Sequence, residues 1–178
     1  MARGQGLKLR TLGGDELRTA FAKATRCLDR YRDAINALNV FPVPDGDTGT
    51  NMLLTMNALN EAACASPDTS AGDVAAAMAR GALLGARGNS GVILSQFFQG
   101  LARGLQGKDS FGGRDLAQAL QQASQAAYKA VSKPVEGTML TVIREMAQAA
   151  QEEASRRSPS RASGPRRDGD LLSVWRAA

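Results

Sequence analysis

The chain has 178 residues, which suits one domain, and its 43% apolar and 22% charged residues are ordinary for a globular protein, while 4% aromatics beside abundant alanine favour closely packed helices over a sheet sandwich. The net charge of +5 sits mostly in residues 155–178, which hold six Arg and two Asp, so the near-neutral body lacks the basic face of a nucleic-acid binder, and the absence of His removes the commonest general base and transition-metal ligand. No apolar run approaches the ~20 residues needed to cross a bilayer, and Met1 to Arg10 lacks the apolar core of a signal peptide, so the expectation is a cytoplasmic protein with no membrane span.

A first helix is predicted from an N-cap at Asp15. Leu17, Phe21, Ala24, Leu28, Tyr31, Ile35 and Leu38 recur at spacings of three and four and should share a buried face, opposite Arg18, Lys23, Arg26, Arg30 and Arg32. It ends in Asn39-Val40-Phe41-Pro42-Val43-Pro44, where two prolines hold the chain extended. A polar loop, Asp45 to Asn51, leads to a second helix from about Thr50 to Cys64, broken by Ser66-Pro67-Asp68. The third helix runs from near Asp73 to about Ala86. Arg87-Gly88-Asn89-Ser90-Gly91 then opens a fourth, apolar nearly all round and so expected to be central. A fifth covers about Arg114 to Val131, and Lys133 to Thr138 opens a sixth that reaches about Glu153, with Met139, Val142, Ile143, Met146 and Ala150 inward. Cys27 and Cys64 are expected as buried free thiols. The domain layout expected is an arm over 1–13, a helical domain over 14–154 and a disordered Arg/Ser/Pro-rich tail over 155–178.

Three polar loops thus each open a helix, where unpaired amides and a partial positive charge favour phosphate. Asp45 and Asp47 lie one glycine apart. Two carboxylates so close repel unless a cation joins them, and magnesium takes a few carboxylates while sharing phosphate oxygens. Thr48, Thr50 and Asn51 add hydroxyl and amide groups, and Gly46 and Gly49 permit close backbone approach. The competing reading is an acidic turn capping the second helix. An EF-hand is set aside, because its twelfth position would be Met56. Asn89-Ser90-Gly91 could cradle phosphate or simply cap a helix, and Thr138-Met139 carries the same ambiguity. No Walker A motif occurs.

Taken together, Ile35 to Met52, Gly85 to Gln96 and Lys133 to Leu140 resemble the signatures of the dihydroxyacetone kinase L-subunit family, in the same order. They are most similar to the amino-terminal domain of the bacterial fatty acid kinase A subunit. The resemblance covers about residues 14–154. It implies an all-α antiparallel helical barrel with ATP in its mouth and Mg2+ bridging the phosphates. Asp45 and Asp47 match metal-holding aspartates and would be the catalytic pair. Asn39 stands where dihydroxyacetone kinases carry a further aspartate, making it a weaker third ligand. Thr48, Gly49, Thr50, Asn51, Asn89, Ser90, Gly91, Thr138 and Met139 match the nucleotide loops, the last two lying near the base. The γ-phosphate would pass to a fatty acid carboxylate or a dihydroxyacetone-like ketose presented by an acyl-binding or ketose-binding partner protein, with a homodimer compatible. The family's domain continues past the sixth helix where this match dissolves, so the barrel is expected to lack its last helices. The alternative function is a catalytically incomplete nucleotide-binding or interaction module.

Overall fold

A computed structural model describes residues 11–40 and 43–156. Phe41, Pro42, most of the expected arm and nearly all of the expected tail lie outside the described residues. The fold is all-helical: α1 (Gly14–Ala37), α2 (Thr48–Ala65), α3 (Ala71–Leu84), α4 (Gly88–Leu105), α5 (Gly113–Lys129) and α6 (Met139–Arg156). Among the described residues the only strand-like feature is an isolated antiparallel bridge between Leu12 and Phe111.

Consecutive helices run antiparallel. Asn60 reaches Thr25 across α1 and α2, Gln99 reaches the Ala79 carbonyl across α3 and α4, and Gln121 reaches the Ala147 carbonyl across α5 and α6. Small residues allow the close approach of α4 and α5. A Cβ on Gly100 would lie 2.5 Å from the Cα of Ala123, and one on Gly104 would collide with Ala119. Alanine at Ala119, Ala123 and Ala127 keeps α5 thin enough for this contact, and all three are buried. The core gathers Leu17, Leu59, Val74, Met78, Phe98, Leu101, Leu105, Phe111 and Leu116. Central α4 packs on α2, α3 and α5, as its apolar circumference predicts, whereas α6 packs on α5 and at most marginally on any other helix.

Several expectations are corrected. The α1 N-cap is Gly13, not Asp15, with the Glu16 carboxylate accepting the Gly13 amide at 2.9 Å. Arg18 is not on a solvated face. It folds under the end of α2 and donates to the Ala63, Ser66 and Asp68 carbonyls, groups a helix end otherwise leaves unpaired. Ala24, Tyr31 and Leu38 on α1 and Val142 on α6 are exposed rather than inward, because no described helix covers those faces. Cys27 and Cys64 are free thiols but exposed.

Candidate functional site

The antiparallel order brings the starts of α2, α4 and α6 to one end of the bundle, with the ends of α1, α3 and α5. The register of Gly100 on Ala123 and Gly104 on Ala119 sets the start of α4 beside the end of α5, from which the third loop leads. All three polar loops therefore share that end.

Two of them are in contact. The Ser90 hydroxyl faces the Thr48 carbonyl at 3.4 Å, and the Arg87 amide faces the Thr55 hydroxyl at 3.4 Å. Gly88, at φ +57°, lies so close to the Asn51 side chain that any Cβ would collide with its amide. The third loop makes no hydrogen bond to the other two among the described residues; its position follows from the helices alone.

The start of α2 is organised by a residue from α1. Asn36 Oδ1 accepts the Gly49 amide at 2.8 Å and the Thr50 amide at 3.2 Å, and Asn36 Nδ2 donates to Thr50 Oγ1 at 3.0 Å. A side chain from outside the helix thus does the work of an N-cap. Asp47, which occupies the N-cap position, makes no capping bond. The acidic turn is therefore not a cap, and Asp47 stands exposed. Asp45 is also exposed and accepts a 2.6 Å hydrogen bond from Asn39 Nδ2, which donates to the Val43 carbonyl as well. Asn39 thus orients Asp45 through its amide nitrogen. Neither aspartate makes an ion pair among the described residues, and no group of three or more His, Cys, Asp or Glu assembles there. Two carboxylates outside any ion pair, one of them held by a carboxamide, fit a hard, largely hydrated cation such as Mg2+ and do not fit an all-protein cage.

The capping sorts the candidate phosphate donors. The Gly49 and Thr50 amides are taken by Asn36, and the Asn51 amide by the Asp47 carbonyl at 2.8 Å. The amides of Thr48, Asn89, Ser90, Thr138 and Met139 have no acceptor among the described residues. Gly91 donates to the Arg87 carbonyl at 2.9 Å, inside the first turn of α4. Thr138 Oγ1 donates to the Val135 carbonyl at 2.8 Å and accepts the Leu140 amide at 3.3 Å, acting as the cap of α6.

The third loop is held by Glu136. Its carboxylate accepts from Tyr128 Oη at 2.9 Å, Thr141 Oγ1 at 2.6 Å and Arg144 Nη2 at 3.0 Å. Those three bonds hold Glu136 below the usual carboxylate range, the Thr141 hydroxyl contributing most. Sequence reading missed Asn36 and Glu136. The only signal was position, Asn36 at the end of an amphipathic stripe and Glu136 beside a turn glycine. Elsewhere, two shallow grooves of about 590 and 620 Å³ run along α5 and α6, lined by Gln121 and Gln151 among others. Neither of these two grooves is lined by any loop residue. The convergence of donors and carboxylates is the better guide, because an open loop end need not enclose a cavity.

A helical bundle with three polar loops at one end defines a class. A family model for the DAK2 domain matches residues 42–163, and the chain belongs to that family, the L-subunit type of the dihydroxyacetone kinases. An uncharacterized protein of Staphylococcus aureus strain bovine RF122 / ET3-1 is 47% identical over 128 residues, which are 72% of this chain and 23% of that protein. Uncharacterized proteins of strains USA300 and N315 match with the same identity and coverage. The chain thus spans about a quarter of the length of these curated relatives.

Proposed function

We propose that this domain binds Mg-ATP at its loop end and passes the γ-phosphate to a small acceptor, a fatty acid carboxylate or a ketose hydroxyl, held by a separate protein or domain. The observation that carries the reading is the sharing of one bundle end by unpaired amides at the starts of α2, α4 and α6 and by two carboxylates that make no ion pair among the described residues. Membership of a kinase-related family supports it. A cytoplasmic protein fits the same reading, and no helix among the described residues is long and apolar enough to cross a membrane.

The chain's own residues would act by binding and orienting. Asp45, steadied by Asn39, and Asp47 would hold the metal, and Mg2+ when bound would neutralise phosphate charge. Thr48, Asn89 and Ser90 would donate amides to phosphate oxygens, and Thr138 and Met139 would meet the nucleotide from the third loop, near the base. Asn36 would fix the first loop by satisfying Gly49 and Thr50, so that Asp47 is not needed to cap α2. Neither Asp is needed as a general base for a carboxylate acceptor, which is already ionised.

The test is calorimetric titration of the chain with ATP, with and without Mg2+. Wild-type protein should bind with Mg2+-dependent affinity, and Asp45→Ala should weaken it about tenfold or more, equivalent to ~1.4 kcal/mol. Equal binding by both proteins would defeat the reading. A second reading, nucleotide binding without transfer, is favoured by the open helical array, in which α1 and α6 share no substantial contact among the described residues. It predicts Mg-ATP affinity with no phosphorylated product when an acyl-binding protein is added.

A further inference from the structure

The third loop carries its own holding device. Residues 132–137 are all exposed, so apolar burial cannot fix their path. Gly137 adopts φ +77° with open space where a Cβ would lie, so the glycine serves backbone geometry rather than packing. What holds the turn is polar. Glu136 bonds Tyr128 at the end of α5 and both Thr141 and Arg144 on α6. Arg144 Nε also donates to Tyr128 Oη at 3.3 Å, and Thr141 Oγ1 accepts the Gly137 amide at 2.8 Å. These bonds tie the loop to both flanking helices. The result is a closed ring of partners around one carboxylate, immediately before the two open amides of Thr138 and Met139.

We propose that Glu136 is a positioning residue for nucleotide binding: it latches the third loop to α5 and α6, so that Thr138 and Met139 are held in place before the nucleotide arrives. This inference rests on the Mg-ATP reading above. The alternative is an ordinary surface ion pair between Glu136 and Arg144, which would contribute little to anything. The two differ in their consequences. A surface pair leaves loop order and ligand affinity unchanged when broken. A latch pre-orders a binding loop, and breaking it lowers apparent affinity by the fraction of time the loop spends in the competent geometry.

Glu136→Gln keeps the shape but sets an amide nitrogen or a neutral oxygen against Arg144 and Thr141, both arranged around a carboxylate. Tyr128→Phe removes one bond to Glu136 and one to Arg144 while retaining the ring. The experiment combines amide hydrogen exchange with Mg-ATP titration of the full chain, wild type and both variants. Glu136→Gln should accelerate exchange over residues 137–142, leave exchange at Leu12 and Phe111 unchanged, and raise the Kd for Mg-ATP roughly five- to tenfold, as a loop competent a fifth to a tenth of the time requires. Tyr128→Phe should give the same pattern, smaller. Faster loop exchange with unchanged Kd overturns the positioning role, and unchanged exchange overturns the latch. A wild-type chain that binds no Mg-ATP overturns the site reading and this inference with it. A wild type that binds, matched by Glu136→Gln, overturns the inference alone.

Discussion

The two ends of the bundle solve the same problem by different means. Each gathers helix termini whose backbone groups lack partners inside their helices. At the end away from the loops, backbone-to-backbone bonds are prominent, with Glu16, Arg18, Ser70 and Asp115 adding side-chain ties. Leu12 and Phe111 exchange two bonds at 3.0 and 2.9 Å, Gly14 donates to Thr69, and Ala71 and Gly72 donate to Asp109 and Lys108. Phe111, Gly112 and Gly113 are buried there. At the loop end, side chains carry the structure: Asn36, Asn39, Thr55, Ser90 and Glu136 hold exposed turns. Backbone pairing consumes donors and needs no special side chain. Side-chain holding depends on a few polar residues, and it leaves amides and carboxylates open to a ligand. On the Mg-ATP reading proposed above, the first end serves stability and the second recognition.

If that division holds, damage to the two ends should separate. The largest effect on stability belongs to Gly72→Val. A Cβ at Gly72 would lie 2.7 Å from the Leu105 carbonyl oxygen and 3.0 Å from the Gly107 nitrogen, so α3 must move off the 105–108 segment. Overpacking of this kind should cost about 2–3 kcal/mol, a fall in Tm of roughly 5–10 °C. The Mg-ATP affinity of the folded fraction should stay the same. A parallel loss of affinity would show that the ends are coupled. Asn36→Ala comes next. It removes the acceptor of two α2 amides and should cost about 1–2 kcal/mol by chemical denaturation. Unlike Gly72→Val it should also weaken nucleotide binding, because the first loop loses its anchor. Asn36→Asp sharpens the point: it keeps the acceptor and loses only the bond donated to Thr50, so it should retain more of both.

Much of the fold was legible because it rests on periodicity. The stripes through Leu116, Leu120, Ala123 and Ala127 and through Ile143 and Ala150 name buried residues, and the glycine- and proline-marked breaks fall where the helices end. The stripe on α1 misleads at Tyr31 and Leu38, and on α6 at Val142, because periodicity identifies a face and not what covers it. Arg18 misleads for the opposite reason. A long cationic side chain can leave the solvated face to reach the carbonyls of another helix. At the loop end, residue types and spacing named the acidic pair and the three helix openings. They could not say that Asn36 rather than Asp47 caps α2, since a helix end accepts any oxygen at the right distance. Nor could they say that Asn39 would aim its nitrogen at Asp45, or that Glu136 would gather Tyr128, Thr141 and Arg144. Each depends on partners brought together only by the tertiary path.

The smallest effect is one of pH, and it tests the comparison with a single proton at each end. Glu136 at the loop end is held below its ordinary value by Thr141, Tyr128 and Arg144. Asp115 lies at the other end. Burial alone would raise it, but the Gly112 amide at 3.0 Å and Lys108 at 2.8 Å outweigh that and hold it low. A carboxylate whose folded pKa is depressed contributes its full stability above the unfolded value, about 4. That stability is lost as pH falls from there through the folded value. Urea unfolding at pH 6 and pH 3 should therefore show wild type weakening on acidification, and Asp115→Asn should weaken less, having no proton to take up. Glu136→Gln should change the global difference very little, because its partners are solvent-screened. Its proton should instead register locally. Compared at the same acidic pH, wild type and Glu136→Gln should show nearly equal exchange over residues 137–142, whereas at pH 6 the variant should exchange faster there. Equal flattening of global stability by both variants would mean that the loop end unfolds only with the whole bundle, and the division between a structural end and a recognition end would not stand.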